Sequence, residues 1–252
     1  MRTLQGACWL ILGLIFPCVP ALAQLPQTAA PNTGGSESNG WGLVIDPDKD
    51  CKFTPGPRSL AIDIPAAWHD LAGPPAFSSP KLNAPRILRE VDGDFVLTVK
   101  VRGDFKPHPP STSVWTLPYL GAGILIWSDS ENFIRLERAA VVQDGRIHTY
   151  ISLDKCEYGH GRQAGSEAIA EGDCYLRLER KGSQILGAFS GDGATWKQLK
   201  SIDTVSPSKL NIPSYIRTDN VWPNKLRVGL AAISTSSDPF SVKFEQFDLK
   251  TK

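Results

Sequence analysis

The sequence predicts an all-β fold, a single sandwich of two antiparallel sheets. Short runs of β-branched and aromatic residues recur along the chain, bounded by Gly, Pro, Asp and Asn. Within those runs apolar and polar residues alternate with a period of two, the spacing that puts successive side chains on opposite faces of a strand. No window of helical length carries an apolar stripe.

The candidate strands follow in order. They are Gly42 to Ile45, Leu60 to Ile64, Arg86 to Val91, Phe95 to Arg102, Gly123 to Ser128 and Asn132 to Ala139. They continue with Arg146 to Ser152, Cys174 to Arg180, Gln184 to Ser190, Leu226 to Ser234 and Phe240 to Leu249. The spacing and the hairpin-length turns are those of a sandwich or barrel, and no linker interrupts the series. Ser190-Gly191-Asp192-Gly193 reads as a tight Asp-Gly hairpin turn with Trp196 packed over it.

Ahead of the strands, Arg2, the apolar stretch Ala7 to Phe16 and the small-x-small step Ala21-Leu22-Ala23 form the pattern of a cleaved secretory signal over residues 1–23. Residues 24–40 hold Pro, Thr, Ser, Asn and Gly with almost nothing to bury and read as a flexible tether, leaving 41–252 as the sandwich. The expected location is therefore secreted or periplasmic. Lys and Arg number 27 against 26 Asp and Glu, without blocks of one sign, which argues against nucleic acid or an anionic membrane surface as partner. The expected state is a monomer.

Cys51, Cys156 and Cys174 follow the signal. In an oxidising compartment the expectation is a disulfide between Cys156 and Cys174, closing a Gly-rich loop; Cys51 pairing to either, and three unpaired buried thiols, are the alternatives. No His stands at ligand spacing from any of the three, so a metal role is not expected.

Two strands carry nearly the same hexapeptide, Phe133-Ile134-Arg135-Leu136-Glu137-Arg138 and Tyr175-Leu176-Arg177-Leu178-Glu179-Arg180. Each buries a Leu or Ile pair and turns an aromatic, an Arg and a Glu to its second face. If both lie in one sheet, that sheet has an apolar back and an aromatic, charged front rimmed by Trp127. Such a front is either a solvated array of Arg–Glu pairs or a platform on which aromatic rings stack against sugars while Arg and Glu bond hydroxyls.

The segments Ala122-Gly123-Ile124-Leu125-Ile126-Trp127 and Asn132-Phe133-Ile134-Arg135-Leu136-Glu137 resemble the core motif of the DUF1349 family. Ala84-Pro85-Arg86-Ile87-Leu88 with Gly93-Asp94-Phe95, Ser190-Gly191-Asp192-Gly193 with Trp196, and Val228-Gly229-Leu230-Ala231-Ala232 with Phe244 agree in the same order. That family is grouped with the regulation-of-enolase-protein-1-like proteins. The resemblance implies a concanavalin A-like lectin/glucanase jelly roll, whose relatives bind or cleave polysaccharides on the concave sheet face. It implies no catalytic residues.

Hydrolysis of a glycosidic bond needs two carboxylates roughly 5–5.5 or 6.5–9.5 Å apart. Glu137 and Glu179 are the pair the sequence offers, each two residues from an Arg that favours the ionised form. Asp46, Asp48 and Asp50 alternate as at the start of a calcium loop, but the Gly and the Glu such a loop requires are replaced, and the stretch reads as an exposed acidic turn. His69 and Asp70, with Arg86 in the following segment, form a candidate polar cluster at a groove edge. Trp115 and Trp222 stand in Pro-containing loops as plugs or ligand anchors. The sequence thus points to a secreted, non-catalytic carbohydrate-binding sandwich with a polysaccharide or glycan as partner. A glycoside hydrolase and a protein-interaction scaffold are the alternatives.

Overall fold

The computed structural model describes residues 37–38, 40–72, 81–204 and 222–252, and among these residues there are strands and no helix. The first six strands are β1 (Glu37–Ser38), β2 (Gly42–Ile45), β3 (Lys52–Pro55), β4 (Ser59–Ile64), β5 (Leu71–Ala72) and β6 (Lys81–Leu82). The next six are β7 (Arg86–Asp92), β8 (Phe95–Gly103), β9 (Tyr119–Trp127), β10 (Phe133–Gln143), β11 (Arg146–Glu157) and β12 (His160–Ala168). The last are β13 (Cys174–Lys181), β14 (Gln184–Ser190), β15 (Lys197–Gln198), β16 (Ile202–Asp203), β17 (Lys225–Ser234) and β18 (Phe240–Thr251). The expected signal segment and most of the expected tether fall outside the described residues. Glu37 and Ser38, within the stretch read as a tether, pair with Leu43 and Gly42.

Two antiparallel sheets make the sandwich. The front sheet runs β1-β2-β7-β17-β9-β10-β11-β12, and the back sheet runs β15-β14-β13-β8-β18-β4-β3, with β16 also on β14. A two-stranded ribbon, β5-β6, stands apart from both. Chain-distant neighbours such as β7-β17-β9 and β8-β18-β4 are the crossovers of a jelly roll.

Alternation decides what is buried between the sheets. From the front sheet come Leu120, Ala122, Ile124 and Ile126 of β9, Ile134 and Leu136 of β10, Ile151 and Leu153 of β11, and Val228 and Leu230 of β17. The back sheet adds Leu60 and Ile62, the β8 series from Phe95 to Val101, Leu176 and Leu178, and Phe244. Each fully buried Leu or Ile contributes about 1.5–3 kcal/mol, and together they set the register of both sheets.

Every strand expected from the sequence is present. The two hexapeptide strands, however, lie in different sheets, β10 in the front sheet and β13 in the back. Their Leu and Ile pairs meet in one shared core, so their second faces point away from each other on opposite sides of the molecule. The single patterned front envisaged for both does not exist. Glu137 and Glu179 are separated by the core and cannot flank one glycosidic bond.

The stretch expected as a Gly-rich loop between Cys156 and Cys174 is β12, paired with β11 from Tyr150↔Ala168 to Glu157↔His160. Cys156 is buried on the outer face of the front sheet and Cys174 in the core between the sheets. The front sheet thus lies between them, and Cys51, Cys156 and Cys174 are all free thiols, not the expected disulfide. Burial raises both buried thiols, to about 11 for Cys156 and about 12 for Cys174.

Candidate functional site

On β10 the residues that alternate with the core are Phe133, Arg135 and Glu137, and they face outward from the front sheet. One half of this outer face carries a second apolar layer. Leu71 of β5, Leu82 of β6 and Ala84 pack there on Leu88, Leu125, Trp127, Phe133, Ala231 and Ile233. Trp127 and Phe133 stack at 5.4 Å with an interplanar angle of 11°, and the Arg86 guanidinium lies 4.6 Å from the Trp127 ring. All three are buried, and Arg86 donates to the carbonyls of Leu82 and Ala84. Burial lowers the Arg86 guanidinium to about 10, with Arg227 adding to the effect. Trp127 and Phe133 are therefore a covered floor, not the open aromatic platform expected of them.

Beside that cover the face is polar. The Tyr119 hydroxyl donates to Glu137 Oε1 at 2.6 Å. One guanidinium nitrogen of Arg135 lies 3.7 Å from Glu137 Oε1 and 3.7 Å from Asp154 Oδ2. Ser152 Oγ donates to Asp154 Oδ2 at 2.7 Å, and Gln163 Nε2 donates to Ser152 Oγ at 3.2 Å. Arg135 Nε is buried and has no hydrogen-bond partner among the described residues.

Local sequence explains how this cluster is reached. Tyr119 sits four rungs along the ladder from Glu137, at Val141, and spans the gap by lying over Gly121. A Cβ on Gly121 would stand 2.8 Å from the Tyr119 ring and 2.9 Å from Glu137 Oε2. On the other side the β11–β12 register shifts between Leu153 and Asp154, so Ala164 has no partner and Gln163 comes opposite Asp154. Ser152, Asp154 and Gln163 were not singled out from the sequence, and Tyr119 was expected in a loop with Trp115 but begins β9. The period-two pattern of β11 holds Tyr150, Ser152 and Asp154 on the Cys156 side, a signal that would have found three outward-facing positions.

Electrostatics follow from burial. Desolvation raises the Glu137 carboxyl to about 6 against the pull of Arg135, and Asp154 is raised for the same reason. Burial acts against the Arg135 charge, but Glu137, Tyr119 and Asp154 outweigh it and hold the guanidinium firmly protonated. Burial, with Glu137 beside it, pushes Tyr119 well above its ordinary value and Tyr150 to about 12. The cluster is a set of hydroxyls, carboxylates and one fixed cation, able to donate and accept hydrogen bonds at a partly open surface. Both Arg135 and Asp154 keep 19 % of their side chains exposed.

The remaining expected residues are scattered. His69 is fully buried, and its backbone is bridged to Ser234 at the end of β17. Asp70 Oδ1 accepts from the Leu71 amide while its own amide donates to Asn83; burial raises its carboxyl, which Arg135 opposes. Tyr175, Arg177 and Glu179 line the outer face of the back sheet. Tyr175 packs on Gly193 of the Asp-Gly turn, Arg177 lies 5.9 Å from the Trp196 ring, and Glu179 pairs with Lys181 and Lys252. That is a solvated array of ion pairs, each of small net effect. Trp222 is a plug: it is buried in the main core and donates to Glu157 at 3.1 Å. Trp115 is 62 % exposed in the loop that leads into Tyr119, beside exposed Val114 and Leu117. Asp46 caps the amides of Lys49 and Cys51, Asp48 meets Asn83 and Lys81, and Asp50 faces His69, so the three carboxylates are engaged separately, not gathered as a calcium loop would gather them.

Residues 67–252 match the model of DUF1349, described as a protein of unknown function. The chain belongs to the DUF1349 family. No curated protein matches it. Among solved structures, this DUF1349 sandwich is similar to a functionally unknown protein from Saccharomyces cerevisiae, with a TM-score of 0.60 and 14 % identity over 84 % of this chain and 97 % of that one. It is also similar to the GH43 protein BlXynB from Bacillus licheniformis, TM-score 0.52 and 16 % identity, and to the xyloglucan-locus GH43B from Bacteroides ovatus, TM-score 0.51 and 13 % identity. It covers 86 % and 88 % of itself in these comparisons but only 40 % and 42 % of those longer chains. At such identities the likeness shows the fold alone, a sandwich of two antiparallel sheets.

Proposed function

We propose that this DUF1349 domain is an exported, non-catalytic carbohydrate-binding sandwich, whose ligand lies on the outer face of the front sheet. The observation that carries this reading is the Tyr119–Glu137–Arg135–Asp154 cluster, a partly open array of paired donors and acceptors beside an apolar layer. Two carboxylates and one guanidinium leave no surplus of positive charge, so the cluster suits a neutral, hydroxyl-rich chain better than a uronate polymer. Trp115 supplies a ring face at the Tyr119 end, as sugar stacking requires. The xyloglucan named for one structural neighbour makes that polymer a first probe.

Calorimetric titration against xyloglucan and a panel of neutral and acidic glycans tests the reading. A neutral glycan that binds the native chain, and binds roughly tenfold more weakly to Glu137→Gln and Tyr119→Phe, is the expected result. No binding by a folded sample to any glycan on the panel refutes it.

One observation favours a hydrolytic reading: Glu137 and Asp154 share one guanidinium nitrogen, and a carboxyl near 6 is suited to acid–base work. A reducing-end assay on the same glycans separates the two. New reducing ends that disappear with Glu137→Gln assign an enzyme; binding without product assigns a lectin.

A further inference from the structure

Outside the polar face, one cluster has the chemistry of a metal site. The connection from β2 in the front sheet to β3 in the back carries Asp50 and Cys51. It runs against His69, which precedes the β5–β6 ribbon covering the outer face. His69 and Cys51 are far apart in sequence, so ligand spacing along the chain gave no hint of the pairing. In the fold Cys51 Sγ stands 4.0 Å from His69 Nδ1 and 3.5 Å from Asp50 Oδ1. His69 Nε2 lies 3.4 Å from Asp50 Oδ2.

A second, independent feature points to a ligand. The His69 side chain is fully buried, and its Nε2, aimed at the Asp50 carboxylate 3.4 Å away, makes no hydrogen bond among the described residues. An orphaned buried ring nitrogen is costly unless something else satisfies it. Asn83 serves the other ring nitrogen: its amide nitrogen lies 3.5 Å from His69 Nδ1 while donating to the Trp68 carbonyl at 2.7 Å, and its oxygen accepts from the Asp70 amide at 3.0 Å, so Nε2 is the nitrogen left for a ligand.

We propose that Asp50, Cys51 and His69 bind a zinc-class transition-metal ion, with water completing the coordination. Bonds of about 2.0–2.3 Å to N, O and S put the ligand atoms of a tetrahedral site roughly 3.3–3.6 Å apart. Separations of that size run from His69 Nε2 to Asp50 Oδ2, 3.4 Å, and from Cys51 Sγ to Asp50 Oδ1, 3.5 Å, the two oxygens of one carboxylate, and one donor atom from each residue lies within 4.8 Å of the others. Sulfur and imidazole donors select zinc-like ions over calcium, which takes oxygen ligands. Access comes from the Asp50 side, whose side chain is 40 % exposed. Binding displaces the Cys51 thiol proton to solvent and leaves the thiolate on the metal. The ion ties the connection between the two sheets to the segment that covers the front sheet's outer face. Asp50 and Cys51 precede the residues matched by the family model, so the site joins one residue of the shared domain to two beyond it.

The test uses the full, untagged, reduced chain titrated with Zn²⁺ and with Co²⁺. One ion per chain is expected, with a sulfur-to-cobalt charge-transfer band and protection of one thiol from alkylation by zinc. Cys51→Ser removes both signals, and Asp50→Asn weakens binding by roughly tenfold or more. These two positions are partly exposed, so both variants stay folded where replacement of buried His69 risks the fold. Absence of stoichiometric binding to the native chain overturns the proposal. So does a cobalt band that survives Cys51→Ser, and so does protection by Ca²⁺ in place of Zn²⁺.

Discussion

Glu137 is a carboxylate taken almost wholly out of water, and the cost of that burial is what lifts its carboxyl to about 6. The consequence for stability has a definite sign. Starting from acid, the unfolded chain releases this proton at its ordinary value, before the folded one does. Stability therefore falls as pH rises from the ordinary carboxyl range through about 6, then levels off. Asp192 acts in the opposite direction: bonds from the Thr195 and Ala194 amides hold its carboxyl well below the usual range, so its contribution is lost on acidification. Urea midpoints of the native chain and Glu137→Gln, compared across this window, are expected to be similar in acid, where protonated Glu137 resembles the neutral amide, and to separate as pH rises, the native chain falling relative to the variant. Trp115 offers a second check at this scale. Because it is largely exposed, Trp115→Ala should leave the melting temperature within a degree or two while weakening glycan binding by about tenfold, the loss of one stacked ring.

Single strands show how much of the fold the sequence revealed. Strict alternation in β8 and β13 named the buried face residue by residue, because each has one face in the core. β12 was missed, since His160-Gly161-Arg162-Gln163 and its continuation carry no apolar period; its place is set by the β11 backbone, an edge partner that no local pattern announces. Sheet membership was equally hidden. Whether β10 and β13 share a sheet depends on pairings with β9, β11, β8 and β14, all made over long sequence separations. The candidate site suffered for it: Arg135 and Glu137 were legible on β10, but Tyr119, Asp154 and Gln163 reach them only through register and a bulge. Two substitutions test this account of the elements. Leu136→Ala, on the core side of β10, is expected to cost about 2–5 kcal/mol in chemical denaturation. Gly121→Ala should cost less stability but drive Tyr119 off Glu137, so that glycan affinity falls as far as it does in Tyr119→Phe.

At the scale of the whole molecule, stability rests on one large core closed by side chains from loops, and no disulfide joins the described residues. Melting temperature is expected to be the same with and without reductant, since Cys51, Cys156 and Cys174 are free. Trp222→Ala, which empties the end of the core and leaves Glu157 without its indole donor, should cost about 3–5 kcal/mol. The paired hexapeptides make a broader point. Phe133→Tyr with Ile134→Leu would render the two segments identical, and one peptide would then present its glutamate to a desolvated pocket on one side of the molecule and to Lys181 and Lys252 on the other. The same six letters carry two meanings, and the surrounding strands decide between them. Relatives that share this site are therefore better recognised by a tyrosine, a glycine two residues later and an aspartate on the strand after the motif than by the motif itself.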